Sequence, residues 1–229
     1  MKKTLWASIA IILISFILGI VLYSYMPQKM ASHWNTQGEV NGYMPKFWGL
    51  FLVPLISIGL FLLLYFIPQL DPFKENVKKF RKHYDNFILI TLIFLLYIHL
   101  LTLLWSLNFK FNMVIMLIPA LAILFYNVGA IMEKAKRNWF IGIRTPWTLS
   151  SDLVWEKTHK LGGKLFKISA IFSLLGILLP KLAIFFIMVP LISASIYIII
   201  YSYVEYKKSI KNENKPNKKS SNKKRKLKR

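Results

Sequence analysis

The chain contains no cysteine and few acidic residues, and both absences narrow what it can be. Without cysteine it can form no disulfide framework, no thiolate metal site and no catalytic thiol. The chain has only 9 Asp and Glu residues, compared with 31 Lys and Arg residues. None of the nine acidic residues falls within the long apolar segments of the chain. Proton- and ion-coupled transporters usually carry ionisable residues inside their membrane spans, so this distribution counts against ion coupling.

What the chain has in excess is apolar sequence. Its 229 residues are 55% hydrophobic with a mean hydropathy of +0.47, and the apolar residues form long unbroken blocks. A helix that crosses a bilayer needs about 20 mostly apolar residues. The sequence therefore predicts an all-α, polytopic membrane protein with about six transmembrane helices, which we place at Thr4–Tyr25, Phe47–Ile67, Phe87–Leu107, Phe111–Met132, Leu165–Leu179 and Leu182–Tyr203.

The distribution of Lys and Arg predicts the orientation of these spans. With six spans, the N-terminus, the second and fourth loops and the tail share one side of the membrane and carry 26 of the 31 cations. The opposite loops carry 4, and the last cation, Lys167, is expected to snorkel from the cytoplasmic end of the fifth span. Because Lys and Arg concentrate in cytoplasmic loops, we predict that both the N-terminus and the C-terminus are cytoplasmic.

This topology also accounts for most of the net charge of +22. We therefore expect the lipid bilayer, and no nucleic acid, as a partner. We divide the chain into a helix pair with an outer loop at residues 1–67, a four-helix region at 68–206 and a disordered basic tail at 207–229. The tail is polar and of low complexity, and its cations suit the anionic lipids of the inner leaflet.

The usual signatures of catalysis are missing. We find no nucleophile motif, phosphate-binding loop or dinucleotide fingerprint. His33 lies on the outer side and His83 and His159 on the inner side, so these three cannot meet to bind one metal. His99 lies within the third span, where a lone histidine is more often a hydrogen-bond partner between helices than a proton relay. The sequence thus predicts a protein without catalytic residues, metal or other cofactor.

The outer loop from Met26 to Lys46 is richer than a simple linker requires. Asn41-Gly42 is a turn dipeptide, and Gly38 provides a second flexible point. The aromatic residues suit a belt at the level of the lipid headgroups, whereas the polar residues suit a cap that faces a ligand. Both interpretations remain open, and the candidate residues for toxin or ligand binding are His33, Trp34, Asn35, Glu39, Asn41 and Tyr43.

The inner loop from Arg137 to Phe166 is the second informative segment. We expect Ser150 or Ser151 to cap a short helix that Gly162-Gly163 ends, and that lies on the inner leaflet as an interfacial helix. Arg144 suits a phosphate headgroup or an acidic partner. Structural anchoring and specific binding both remain open, and the candidate residues are Trp139, Gly142, Arg144, Thr145, Pro146, Trp155 and His159.

Both loops resemble known bacterial sequences. The outer pattern HWN, Gly38 and NGY resembles a small domain of unknown function that begins SdpI-type proteins, and the inner stretch NWFIGIRTPWTLSSDLVWEKTHKLGGKLF resembles the signature of the SdpI immunity family. Where the family commonly has Asp in the outer pattern, this chain has Asn41, so no carboxylate is available at that position. Six predicted spans agree with the architecture of the family.

The resemblance implies a non-enzymatic immunity protein of the bacterial cell (inner) membrane. Such a protein protects against a secreted, membrane-active peptide toxin, and when engaged by toxin it can hold a cytoplasmic repressor at the membrane. By this resemblance the outer loop meets the toxin and the inner loop is the candidate dock for the repressor. The alternatives are a small-molecule or lipid-linked transporter and, third, a membrane enzyme that acts on a lipid.

Overall fold

The computed structural model describes residues 2–213, which form a bundle of helices with one β-hairpin. In chain order the elements are α1 (Lys2–Leu22), β1 (Lys29–Trp34), β2 (Val40–Pro45), α2 (Lys46–Leu70), α3 (Lys74–Lys79), α4 (Arg81–Ser106), α5 (Met113–Lys134), α6 (Pro146–Ser150), α7 (Asp152–Ser173), α8 (Leu175–Leu178) and α9 (Ala183–Glu213). Two 3₁₀ turns, Tyr23–Tyr25 and Pro180–Leu182, follow α1 and precede α9.

Six stretches of helix are long and apolar enough to cross a membrane, and each of the six predicted spans falls on one of them. The prediction of an all-α polytopic membrane protein is confirmed. The sequence predicted only a loop between the first two spans, whereas the structure has a β-hairpin there, formed by β1 and β2. The division of the chain at residue 67 stays a prediction.

The connections between the spans lie at two opposite ends of the bundle. We call the end that carries β1 and β2 the hairpin end. We call the other end, which carries α3 and the loop at residues 135–145, the basic end, because the lysines and arginines of the described chain concentrate there.

Two sets of three helices pack side by side. In the first set α1, α2 and α4 contact one another; in the second, α7 lies against both α5 and α9, and α4 joins the sets by packing on α5. The hydroxyl of Ser15 on α1 lies 2.6 Å from Nδ1 of the fully buried His99 on α4. This bond between helices confirms the role predicted for His99.

Glycines allow α5 and α7 to approach closely. A Cβ added at Gly163 would lie 2.5 Å from the carbonyl oxygen of Gly129, and one added at Gly129 would lie 2.6 Å from the carbonyl oxygen of Gly163. Small residues of this kind let helix backbones meet within a membrane, where burial of apolar surface drives association little. The expectation that Gly162-Gly163 ends a helix was therefore wrong, because α7 continues through both glycines to Ser173.

An ion pair lies beside this glycine contact. Nζ of Lys167 on α7 is 2.7 Å from a carboxylate oxygen of Glu133 on α5, and both side chains are about one quarter exposed. Lys167 also lies over the ring of Tyr126. Lys167 thus pairs with a carboxylate at the basic end of α5, and the expectation that it snorkels stays a prediction.

A large apolar core lies toward the basic end. It joins residues of α1, α2, α3, α4, α5 and α7, and Trp155 and Tyr84 are its largest fully buried side chains. Trp155 was expected on an interfacial helix; the structure instead buries it against the end of α5, where its Nε1–H donates to the carbonyl oxygen of Ala135. The expected inner interfacial helix is therefore the first part of the fifth span.

Helix α9 extends beyond the predicted start of the tail. Residues 207–213 continue the helix, and the rest of the predicted disordered tail lies outside the described residues. At the start of this extension Glu205 is almost fully buried and pairs with Lys157 of α7 at 2.7 Å and with Lys208 at 2.8 Å. The pair with Lys157 fixes the end of α9 to α7, whereas Lys208 lies on α9 itself.

Candidate functional site

The turn of the hairpin is organised by Asn35. Its side-chain oxygen accepts hydrogen bonds from the backbone N–H groups of Gln37 and Glu39, and its amide donates to the carboxylate of Glu39. Asn side chains commonly replace a backbone partner in this way and so define a turn. Gly38 has a φ of +82°, a conformation that glycine adopts readily, in agreement with the flexible point predicted at this residue.

The predicted turn at Asn41-Gly42 was wrong, because both residues lie in β2, where Gly42 pairs with His33 of β1. A Cβ on Gly42 would come 2.9 Å from the Cβ of His33, so this glycine serves the close approach of the two strands. Across the strands, Nδ1 of His33 bonds to the side-chain oxygen of Asn41. The Asp-to-Asn difference from the family therefore lies within a side-chain pair on the exposed face of the hairpin.

The six hairpin candidates divide into two groups. Trp34 packs edge-on against Trp105 of α4 with ring centroids 6.0 Å apart. The side chain of Asn35 makes its hydrogen bonds within the turn, so both residues have structural roles. The other four candidates have exposed side chains that are available to a partner: His33, Glu39, Asn41 and Tyr43.

The hairpin is also tied to a later span. Asn112 caps the N-terminus of α5 by accepting the N–H of Ile115, and its amide donates to the carbonyl oxygen of Gln37 at 2.7 Å. Gly38 packs directly against this side chain, leaving no room for a Cβ. Asn112 did not appear among the sequence candidates, and an N-cap asparagine before a span gives no hint of a contact with a distant loop.

At the basic end, two buried polar residues shape the loop that follows α5. Asp71 is 2% exposed and accepts hydrogen bonds from the N–H groups of Phe73 and Trp139. Asn138, fully buried, accepts from the N–H groups of Phe140 and Ile141 and donates to two carbonyl oxygens. Neither Asp71 nor Asn138 was among the candidates predicted from the sequence. For Asp71, its position directly after an apolar span was a usable signal.

His159 closes this loop onto α7. Its Nε2 accepts the N–H of Ile143 at 2.9 Å and its Nδ1 donates to the carbonyl oxygen of Trp155 at 2.8 Å, a pair of partners that requires a neutral ring with the proton on Nδ1. The ring stacks on Trp155 with centroids 3.9 Å apart. Gly142, at a φ of +110°, lies against Nε2, so a Cβ at residue 142 would collide with His159.

Thr145 is the N-cap of the short helix α6, which the sequence analysis did not predict. Its hydroxyl accepts the N–H of Thr148, whose own hydroxyl accepts the N–H of Thr145, and Pro146 fills the first helical position. The Thr145 hydroxyl also lies 3.1 Å from that of Ser202 on α9. Ser151 then caps α7, as one of the two predicted caps.

The inner candidates therefore also divide into two groups. Thr145, Trp155 and His159 are buried and hold the loop in place. Four others have exposed positions on the surface of the loop: Trp139, Gly142, Arg144 and Pro146. Arg144 donates one bond from its guanidinium to the carbonyl oxygen of Trp139 at 2.8 Å, which fixes its direction and leaves further N–H groups for a partner.

Two cavities adjoin this loop. The first, of about 350 Å³, is apolar and lies among α2, α4, α5, α7 and residues 140–143. The second, of about 280 Å³, is lined by charged side chains of α3, α5, α7 and residues 135–137. Ala135 lines both cavities. Over residues 2–213 we find no group of three or more His, Asp or Glu residues arranged to hold a metal ion.

Comparisons with known proteins agree with the two loops described above. Residues 134–202 match the SdpI/YfhL protein family, and residues 10–58 match a domain of unknown function, DUF1648. The chain is 28% identical over 209 residues to "Immunity protein SdpI" of Bacillus subtilis (strain 168), an alignment that covers 91% of this chain and 98% of that protein. No solved structure matches the chain at a significant level. These matches confirm the resemblance stated from the sequence.

Proposed function

We propose that the chain is an SdpI-type protein, namely a non-enzymatic membrane immunity protein that protects its cell against a secreted, membrane-active peptide toxin. The observation that carries this proposal is the similarity to an immunity protein along nearly the whole chain, which includes both the hairpin and the loop at residues 135–145. Expression in a toxin-sensitive bacterium, with survival scored against a panel of membrane-active peptides, tests it. Unchanged survival against every peptide at normal expression would count against the proposal.

We further propose that the basic end faces the cytoplasm and the hairpin end faces outward. Support comes from the 26 cations assigned to one side against 4 on the other, a bias that directs insertion in bacterial membranes. A secreted toxin then meets the hairpin end, whereas a cytoplasmic protein meets the loop at residues 135–145.

The proposed orientation predicts the position of reporters fused to the chain. Alkaline phosphatase joined after Asn41 is expected to be active outside the cytoplasm, because that site lies on the hairpin. Green fluorescent protein joined after Lys79, Leu161 or Lys211 is expected to fluoresce, because these sites lie toward the basic end. Strong phosphatase activity at Lys79 or its absence at Asn41 would reverse the proposed orientation.

The exposed face of the hairpin is the proposed toxin contact. His33, Asn41, Tyr43 and Glu39 present two polar groups, an aromatic ring and a carboxylate on an edge that the bundle leaves uncovered. Tyrosine is frequent at the energetic centres of protein interfaces because it combines a large apolar ring with a polar tip. Tyr43 is 58% exposed, which makes it the principal candidate for contact.

Tyr43→Ser is therefore expected to lower survival under toxin without lowering the amount of inserted protein. An interface tyrosine of this kind contributes about 2 kcal/mol, or roughly thirtyfold in affinity. Tyr25→Ser is the matched control, because Tyr25 is 73% exposed at the same end but lies outside the hairpin. Survival and inserted protein are measured side by side, and equal loss of survival in both variants would speak against a contact at the hairpin.

The surface around Arg144 is the proposed dock for a cytoplasmic repressor. Its guanidinium is exposed, held in place by Trp139, and surrounded by the rigid backbone that His159 and Asn138 maintain. A fixed guanidinium suits a carboxylate on a partner, because it can offer two parallel N–H donors. Repressor capture at this surface would couple toxin exposure to transcription.

Arg144→Ala is expected to spare survival under toxin but to reduce transcriptional induction at least about tenfold, since a lost charge-assisted bond at an interface costs about 1.5–3 kcal/mol. The readout is a reporter under the promoter of this protein's own gene, measured after addition of toxin. Lys160→Ala removes an exposed charge elsewhere at the basic end and is expected to leave induction unchanged. If Arg144→Ala lowers protein level, survival and induction together, the residue has a structural role only.

A further inference from the structure

The two sets of helices are joined differently at their two ends. Toward the basic end they share one apolar core, in which Tyr84 and Leu92 of α4 lie together with Ile131 of α5 and Trp155 of α7. Toward the hairpin end each set has a core of its own. One of these joins Met30 of β1 to helices of the first set, and the other joins α5 to α9. Apolar packing between the sets is therefore concentrated at the basic end.

Hydrogen bonds connect the sets at the hairpin end. The amide of Asn112, at the start of α5, donates to the carbonyl oxygen of Gln37 at 2.7 Å, and Gly38 packs against the same side chain. The hydroxyl of Tyr97 on α4 donates to the carbonyl oxygen of Met116 on α5 at 2.9 Å. The hairpin itself belongs to the first set, because β1 packs on α2 and α4. Its turn therefore reaches across to the second set.

We propose that the hairpin is a latch between the two sets of helices. While Asn112 is bonded to Gln37, the latch holds the sets together at the hairpin end. When this bond breaks, the sets separate at the hairpin end and pivot about the core that they share at the basic end. The latch thereby controls the crevice between α4 and α5 at the hairpin end.

The bond between Asn112 and Gln37 is suited to open and close. It lies at the protein surface, where water can replace either partner, so its net contribution is small compared with that of a shared apolar core. The bonds of Asn35 to the backbone of the turn do not involve α5, so the turn keeps its shape when the latch opens. Glu39 is exposed directly beside Gly38, so a partner that binds the hairpin acts on the same turn.

The connection between α4 and α5 limits how far the latch can open. It consists of residues 107–112, of which the first three donate their N–H groups to carbonyl oxygens at the end of α4. Residues 110–112 are left to extend, and three residues reach roughly 10 Å. Because packed helices already lie about 8–10 Å apart, this connection permits a separation of several ångströms and no wide opening.

Distances between spin labels test the proposal. The chain contains no cysteine, so a pair of engineered cysteines can be labelled without background. Tyr25→Cys and Leu178→Cys place labels on the two sets at the hairpin end, and Leu70→Cys and Leu153→Cys place them at the basic end, all at residues that are more than half exposed. Double electron–electron resonance on the purified full chain in lipid nanodiscs gives the distribution of distances at each end.

Asn112→Asp removes the latch but keeps the helix cap. A carboxylate still accepts the N–H of Ile115, but it has no N–H to donate to Gln37. We expect the distances at the hairpin end to lengthen by several ångströms and the separated population to rise at least about fivefold, the ratio that one lost hydrogen bond supports. Distances at the basic end are expected to stay unchanged.

Gln37→Ala is the matched control. It changes the side chain at the latch but keeps the carbonyl oxygen that accepts the bond, so neither distribution is expected to change. Tyr97→Phe removes the other bond between the sets at this end and is expected to add to the opening caused by Asn112→Asp.

Melting temperatures show whether each variant is folded. If Asn112→Asp does not fold, Asn112→Ser takes its place, because serine also caps a helix and its shorter side chain does not reach Gln37. Unchanged distances at the hairpin end overturn the proposal, and so does equal broadening at both ends, which indicates general loosening instead of a pivot. Broadening in Gln37→Ala as large as that in Asn112→Asp also overturns it. None of these results depends on whether the protein confers immunity, because the measurement uses neither toxin nor living cells.

Discussion

Leucine in place of Gly163 is expected to remove most of the folded protein, whereas leucine in place of Gly59 is expected to be tolerated. At Gly163 even a Cβ would meet the backbone carbonyl oxygen of Gly129 at 2.5 Å, so a larger side chain must push α5 and α7 apart. Separation of the helices also breaks the ion pair of Lys167 and Glu133. Overpacking commonly costs 1–3 kcal/mol, and with the lost ion pair we expect at least about 3 kcal/mol.

Gly59 is a suitable control because it lies within the span formed by α2 and a Cβ built there meets nothing within 4 Å. The measurement is the yield of monodisperse protein in size-exclusion chromatography, together with its melting temperature in detergent. Gly163→Ala is expected to give an intermediate loss. A Gly163→Leu protein with the yield and melting temperature of the wild type would show that α5 and α7 do not meet at these glycines.

His159→Ala is expected to destabilise the basic end by roughly 2–4 kcal/mol, because it leaves the N–H of Ile143 without a partner and opens a cavity beside Trp155. Unlike Arg144→Ala, this variant should lower protein level, survival and induction together. The comparison thus separates a residue that holds the loop from a residue that lies on its surface.

His159→Gln tests the proposed cause of this loss. The glutamine side-chain oxygen can reach toward the position of Nε2 and accept the N–H of Ile143, so part of the stability should return. His83→Ala removes an exposed histidine at the same end and should leave the melting temperature unchanged. Equal melting temperatures for His159→Ala and His159→Gln would mean that the hydrogen bond to Ile143 contributes little and that packing dominates.

The spans were predictable because the length of an apolar run is a local property of the sequence. The position of His99 between helices followed in the same way, since a lone polar group inside a membrane needs a partner nearby. The cap at Ser151 was also a local signal, carried by a Ser before a helix. Each of these predictions depended on a few consecutive residues.

The errors occurred where distant segments decide the outcome. Trp155 and the glycines of α7 suggested an interfacial helix, because periodicity alone does not distinguish a face that meets lipid from a face that meets another helix. In the structure, the face of α7 that carries Trp155 is covered by α5 and by the loop after α5. That loop is held by a hydrogen bond from the N–H of Trp139 to Asp71, which lies 68 residues earlier in the chain. Likewise, Asn41-Gly42 suggested a turn, but the side chain of Asn35 directs the turn to an earlier position.

The bond between Asn112 and Gln37 also has a consequence for biosynthesis. The two residues are 75 positions apart, and the hairpin leaves the ribosome well before the fourth span does. At about 5–20 residues per second, the missing partner arrives roughly 4–15 s later. During that interval the turn has its own Asn35 contacts but lacks its attachment to α5. A nascent chain therefore completes its hairpin end only after the fourth span has been made, and a chain that stops earlier presents an unanchored hairpin to the membrane surface.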